Sequence, residues 1–91
     1  MDSSRGVYAI AVAAELVGVG EQTLRLYEKK GLLTPQRTAG GTRRYSADDV
    51  ATALRIVALI SEGLNLAGAQ RVLDLEIANE ELRRHIVALT Q

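Results

Sequence analysis

Two groups of side chains in this sequence could do chemistry outside the chain. In "EQTLRLYEKK", residues 21–30, Gln22, Arg25, Leu26 and Lys29 recur at i, i+3, i+4 and i+7. On a helix that spacing makes one continuous stripe. An amide can bond adenine, a guanidinium can bond guanine bidentately, and an aliphatic group can pack on a thymine methyl. Lys29, with Lys30 beside it, suits phosphate. The second group lies in "TPQRTAGGTRRYS", residues 34–46, where Arg37 precedes a diglycine and Arg43 and Arg44 follow it. Two glycines between short polar runs read as a hairpin tip. No acidic residue stands between Pro35 and Tyr45. The three arginines are therefore expected to reach for an external polyanion, at a duplex backbone or minor groove.

These side chains need elements to hold them. "AVAAELVGVG" places Val12, Leu16 and Val19 on one helical stripe that Gly18 and Gly20 break. "EQTLRLYEKKG" follows as a second helix, with Gly20 as its cap, Glu21 at the positive end of its dipole and Gly31 as its left-handed stop. Leu24 and Tyr27 define its inward side. Two short helices across a tight turn make a helix-turn-helix. Pro35 prevents a third helix before the hairpin. "SADD" supplies Ser46 as N-cap with Asp49 three residues on, a capping box. Val50, Ala53, Leu54, Val57 and Ala58 carry that helix's expected stripe, which should end near Gly63. Asn65 can cap a further helix from Leu66. "VYAI" could add a short strand in front. The expected fold is mostly α: a winged helix-turn-helix with a two-stranded wing and two further helices.

The charge distribution agrees with the polyanion reading. The 91 residues have a net charge of zero, but residues 22–45 set six cations against Glu28 alone, a net +5. Residues 46–91 set four cations against seven carboxylates, a net −3. Only the first part suits a polyanion partner. The chain has no cysteine, which excludes a disulfide framework and thiolate metal chemistry and fits a reducing cytoplasm. The apolar run from Val7 makes a poor signal peptide, because Arg5 is the only cation before it and Glu15 interrupts it. His85 is the single histidine and lacks the serine or carboxylate arrangement of a catalytic site. No glycine loop matches a phosphate-binding fingerprint. No enzyme and no cofactor is expected.

"TLRLYEKKGLLTPQRTAGGTRRYSADDV" resembles the N-terminal DNA-binding domain of MerR-type transcription regulators, over about Val7 to Leu73. The resemblance implies a winged helix-turn-helix dimer on palindromic promoter DNA. It marks Arg25, Tyr27, Arg43 and Tyr45 as motif positions, with Arg43 favoured over Arg44 for the wing contact. The candidate DNA-binding set is then Gln22, Thr23, Arg25, Leu26, Tyr27, Lys29, Arg37, Arg43, Arg44 and Tyr45. Leu26 stands where the family has the first tyrosine of a pair, so a hydrogen bond from that position is lost. "GGTRRYS" and "GLNLAGAQRVLDLE" look most like the heat-shock-repressor branch, which represses chaperone operons. That likeness brings in RNA polymerase or a chaperone as a further protein partner. Metal-sensing members use cysteines that this chain lacks, and no effector pocket is expected before Gln91.

The tail carries its own pattern. Val72, Asn79 and Ile86 are seven apart, and so are Leu75, Leu82 and Leu89, offset by three. These are a and d positions, with Asn79 suited to fixing register. The expected organisation is a DNA-binding domain over 1–74 and a dimerisation helix over 75–91. The expected function is a dimeric, sequence-specific transcriptional regulator, a repressor in the cytoplasm on the nucleoid. Two alternatives stay open: an architectural factor of the excisionase type, and a protein-interaction module that uses the acidic tail helix.

Overall fold

The computed structural model describes residues 2–90. Met1 and Gln91, the outer limits of the two expected segments, lie outside the described residues. The chain divides into two compact units, Met1–Ala58 and Leu59–Gln91.

In the first unit, helix α1 spans Ile10–Val17 and α2 spans Glu21–Lys29. Gly18 closes α1 in the left-handed conformation, and its N–H donates to the Ala14 carbonyl at 2.8 Å. Residues 18–20 form the turn. The inward face of α1 is Ala13, Ala14 and Val17, whereas Val12 and Leu16 are exposed at 45% and 51%. This corrects the stripe expected from Val12, Leu16 and Val19. The small alanines let a neighbouring element pack closely, and the larger aliphatics are left outside. On α2 the expected inward pair, Leu24 and Tyr27, is buried.

After α2, Leu33 and Pro35 are buried and lead into the wing. Strand β1 is Gln36–Arg37 and β2 is Arg43–Arg44, paired antiparallel with Gln36 opposite Arg44 and Arg37 opposite Arg43. Gly41, at φ 86°, supplies the left-handed residue of the tip. Its N–H donates to the Thr38 carbonyl at 2.9 Å. "VYAI" adds a single bridge rather than a strand. Tyr8 and Tyr45 exchange backbone hydrogen bonds at 2.9 and 2.7 Å. Gly6 lies just before that bridge, and a Cβ there would sit 2.5 Å from the Arg44 carbonyl oxygen. Only glycine lets the N-terminal segment run this close to β2.

Helix α3 spans Ala47–Ser61 and passes from the first unit into the second. Its capping box forms as expected: the Ser46 N–H donates to Asp49 Oδ2 and the Asp49 N–H to Ser46 Oγ, both at 2.9 Å. Its buried residues are Ala53, Ile56 and Leu59, with Leu54 exposed at 45%, so the inward stripe is rotated from the expected one. In the second unit, Gly63 ends α3 at φ 104°, and Asn65 Oδ1 accepts the Gly68 N–H at 2.8 Å to start α4. Helix α4 runs unbroken over Leu66–Thr90. Residue 74 is therefore mid-helix and marks no break in the backbone. Among the described residues no helix is long and apolar enough to cross a membrane.

Candidate nucleic-acid interface

Helix α2 presents the expected stripe. Gln22, Arg25, Leu26 and Lys29 are all exposed, Leu26 at 40%, and Thr23 beside them is half-buried. Arg25 Nη2 meets Glu21 Oε1 at 3.4 Å, one turn back along the helix. Both partners are largely exposed, so this loose pair is worth only about 0.3–0.5 kcal/mol and yields readily to a stronger acceptor.

Two of the three wing arginines, Arg37 and Arg43, have a carboxylate partner inside the chain, so the expectation of a wholly external partner holds for Arg44 alone. Glu28, on the last turn of α2, takes both strands of the wing at once. Its Oε1 accepts Arg37 Nη2 at 2.8 Å and its Oε2 accepts Arg43 Nε at 2.5 Å. The carboxylate is 21% exposed. Burial pushes its pKa up, but the hydrogen bonds and charges of Arg43 and Arg37 together outweigh that and hold it below the usual carboxylate value. The same hydrogen bond raises the Arg43 guanidinium. Arg37 Nη1 also donates to the Gly41 carbonyl at 3.0 Å, bracing the tip. Arg44 Nη1 closes on the Arg43 carbonyl at 2.9 Å, and Arg44 has no carboxylate partner among the described residues. Asp49 is engaged in the α3 cap and, among the described residues, makes no bond to these arginines. Arg43 gives only Nε to Glu28, so its η nitrogens are not used in that bond and can still turn to phosphate.

Two of the candidate contacts are corrected by burial. Tyr27 is 4% exposed and Tyr45 is 1% exposed, so both rings are buried and neither lies on the outward surface of the stripe or the wing. Burial raises both phenols, and the Tyr45 hydroxyl is enclosed without a hydrogen-bond partner. Both belong to the buried core, Tyr27 within α2 and Tyr45 directly after β2. Sequence reasoning missed three contributors: Glu28 as the tie between helix and wing, Gln36, whose Oε1 accepts the Gly6 N–H at 2.8 Å, and Gly6 itself. One signal was present for Glu28, the only carboxylate in the basic segment.

The tail residues lie in the second unit. Leu75, Leu82, Ile86 and Leu89 are exposed at 66, 60, 58 and 72% in the single chain. Asn79 is exposed and Val72 is half-buried. No group of three or more His, Asp or Glu side chains among the described residues is arranged to hold a metal ion.

An exposed polar stripe on the second helix of a helix-turn-helix, flanked by a two-stranded arginine wing, defines a winged helix-turn-helix. Residues 8–76 match the MerR HTH family regulatory protein, and the chain belongs to that family. It is 49% identical over 85 residues to the Streptomyces coelicolor protein that carries the name heat shock protein HspR. That alignment covers 91% of this chain and 56% of the relative. It is 40% identical over 67 residues to the transcriptional repressor CarH of Myxococcus xanthus, covering 72% of this chain and 22% of the relative. Among solved structures it resembles HiNmlR, a MerR family regulator lacking the sensor domain, bound to promoter DNA. The TM-score is 0.73 at 30% identity, over 90% of this chain and 63% of that one. The chain thus spans less than two thirds of each of these relatives. CarH and HiNmlR are regulators by name, and the look of the heat-shock branch is borne out by the HspR relative.

Proposed function

We propose that the chain binds palindromic promoter DNA as a homodimer and represses transcription in the cytoplasm. The observation that carries this reading is the exposed stripe Gln22, Arg25, Leu26 and Lys29 on α2, with the wing tied beside it through Glu28. The stripe offers base-edge chemistry, and Lys29, Arg43 and Arg44 offer phosphate chemistry. Support for a dimer comes from the four exposed apolar side chains at heptad spacing on α4. Two linked domains would also turn a small phosphate footprint into a bivalent one. Support for repression comes from the likeness to the CarH repressor.

Selection of duplexes from a random pool by the full chain tests the reading. The expected product is an inverted repeat with half-sites about one helical turn apart. Enrichment of no sequence at low salt would remove the DNA reading. It would favour the second alternative, a protein-interaction module acting through α4. Enrichment of clustered, directly repeated sites would favour an architectural role.

A further inference from the structure

Glu28 poses an electrostatic puzzle once α2 and the wing are taken to face DNA. A carboxylate on a surface turned to a polyanion works against binding, because it repels phosphate and occupies two cations. Its geometry offers the compensation. The wing has only two residues per strand and two cross-strand pairs, and a hairpin that small does not hold itself. Its position must come from ties to other elements. One tie is the Tyr8–Tyr45 bridge and a second is Gln36 to Gly6, both from the N-terminal segment. Among the described residues Glu28 alone supplies hydrogen-bonded side-chain ties from α2 to the wing, and it engages both strands, Arg37 of β1 and Arg43 of β2.

We infer that Glu28 is the positioning residue that sets the distance between the wing and the recognition helix, trading general affinity for DNA against selectivity for the correct site. This rests on the DNA-binding reading proposed above. The carboxylate oxygens are used one per arginine, so each strand is fixed separately and the hairpin cannot pivot about a single bond. The guanidiniums are planar donors with nitrogens left over, so Arg43 can hold Glu28 through Nε and turn an η nitrogen to a phosphate. Held this way, a wing arginine reaches the backbone only when α2 is seated in the groove at the matching depth. A loose wing would find a phosphate on any duplex.

The proposal gives opposite signs for two affinities. Glu28→Gln removes a negative charge and one of the two ties. Binding to random duplex should hold or tighten, while binding to the selected site should weaken, lowering their ratio by about tenfold. Arg37→Lys keeps the charge and loses the fork that bridges Glu28 and the tip. Its ratio should fall too, with an unchanged salt slope. Equal tightening on both duplexes by Glu28→Gln, with Arg37→Lys neutral, would show that Glu28 is only a repelling charge and overturn the proposal. Equal weakening on both by each variant would overturn it as well.

A DNA-free arm separates this proposal from the binding reading. The sequence has no cysteine, so spin labels at Gln22→Cys and Ala39→Cys, in chains diluted with unlabelled protein to suppress distances between copies, report the distance from helix to wing tip. Glu28→Gln should broaden that distribution, and an unchanged distribution would overturn the positioning role even if DNA binding holds. If the wild-type chain selects no duplex while the distribution still broadens, the DNA reading fails and the tie itself stands.

Discussion

At the scale of single residues, the interface sorts its cations by what else holds them. Arg25 has one loose, exposed partner and faces outward at the centre of the stripe. Arg25→Ala should weaken binding to the selected site by about 1–3 kcal/mol and relax preference at one base position. Titrations on matched and mismatched duplexes check this, and equal losses on both would place Arg25 on phosphate only. Arg44 has no carboxylate partner among the described residues, and the Arg43 η nitrogens remain available. Replacing both with alanine should flatten the dependence of log affinity on log salt by one to two units, at about 0.9 per phosphate contact. Because Arg43 also anchors the wing to Glu28, Arg44→Ala alone is the cleaner measure of one lost phosphate. Glu28 carries a pH signature. Its folded pKa is depressed, so its pair stabilises the fold above the ordinary carboxylate value of about 4.3, and that stabilisation is lost as pH falls through the lower folded value. Thermal melts should therefore show Glu28→Gln clearly less stable than wild type near neutral pH. The gap should narrow in acid, and a gap independent of pH would contradict the assignment.

At the scale of elements, the wing and α4 are the parts that cannot stand alone. The wing depends on the close pass of the N-terminal segment, where a Cβ on Gly6 would meet the Arg44 carbonyl at 2.5 Å and Gln36 Oε1 at 2.9 Å. Gly6→Ala should destabilise the domain by about 1–3 kcal/mol through this overpacking. Amide exchange should quicken first at Tyr45 and Tyr8, whose N–H groups form the bridge. Helix α4 is the expected dimer element, and truncation after Asp74 should leave a chain that sediments as a monomer where the full chain is a dimer. A monomeric full chain at tens of micromolar would contradict this.

Much of this scale was legible in the sequence. Glycines and a capping box fix helix ends through local backbone chemistry, so Gly18, Gly31, Gly63, Ser46 and Asn65 mark their boundaries correctly. The inward faces of α1 and α3 were less legible. Both helices carry aliphatics on more than one side, and tertiary packing chose Ala13 and Ala14 over Val12 and Leu16, and Ile56 over Leu54. The Glu28 tie was hidden because it joins residues nine and fifteen positions apart across a turn, which periodicity does not register. Helical spacing already placed Tyr27 inward, whereas Tyr45 is polar and lies amid basic residues, yet its ring is large enough to serve as core.

At the scale of the whole molecule, the proposed function needs a basic segment to read DNA and a tail to bring in a second copy. Segregated charge fits this division: residues 22–45 carry a net +5, whereas residues 59–91 set three cations against five carboxylates, a net −2. An acidic tail turned to the same phosphates would work against binding, whereas a seam between two tails removes apolar surface from water at no cost to the basic face. The measurement that tests this most directly is the stoichiometry of binding to the selected inverted repeat, set against a duplex carrying one half-site. The account requires two chains per full site, bound cooperatively, with affinity for the single half-site lower by a factor of about 100 or more. One chain per duplex, with equal affinity for the half-site and the full repeat, would contradict it.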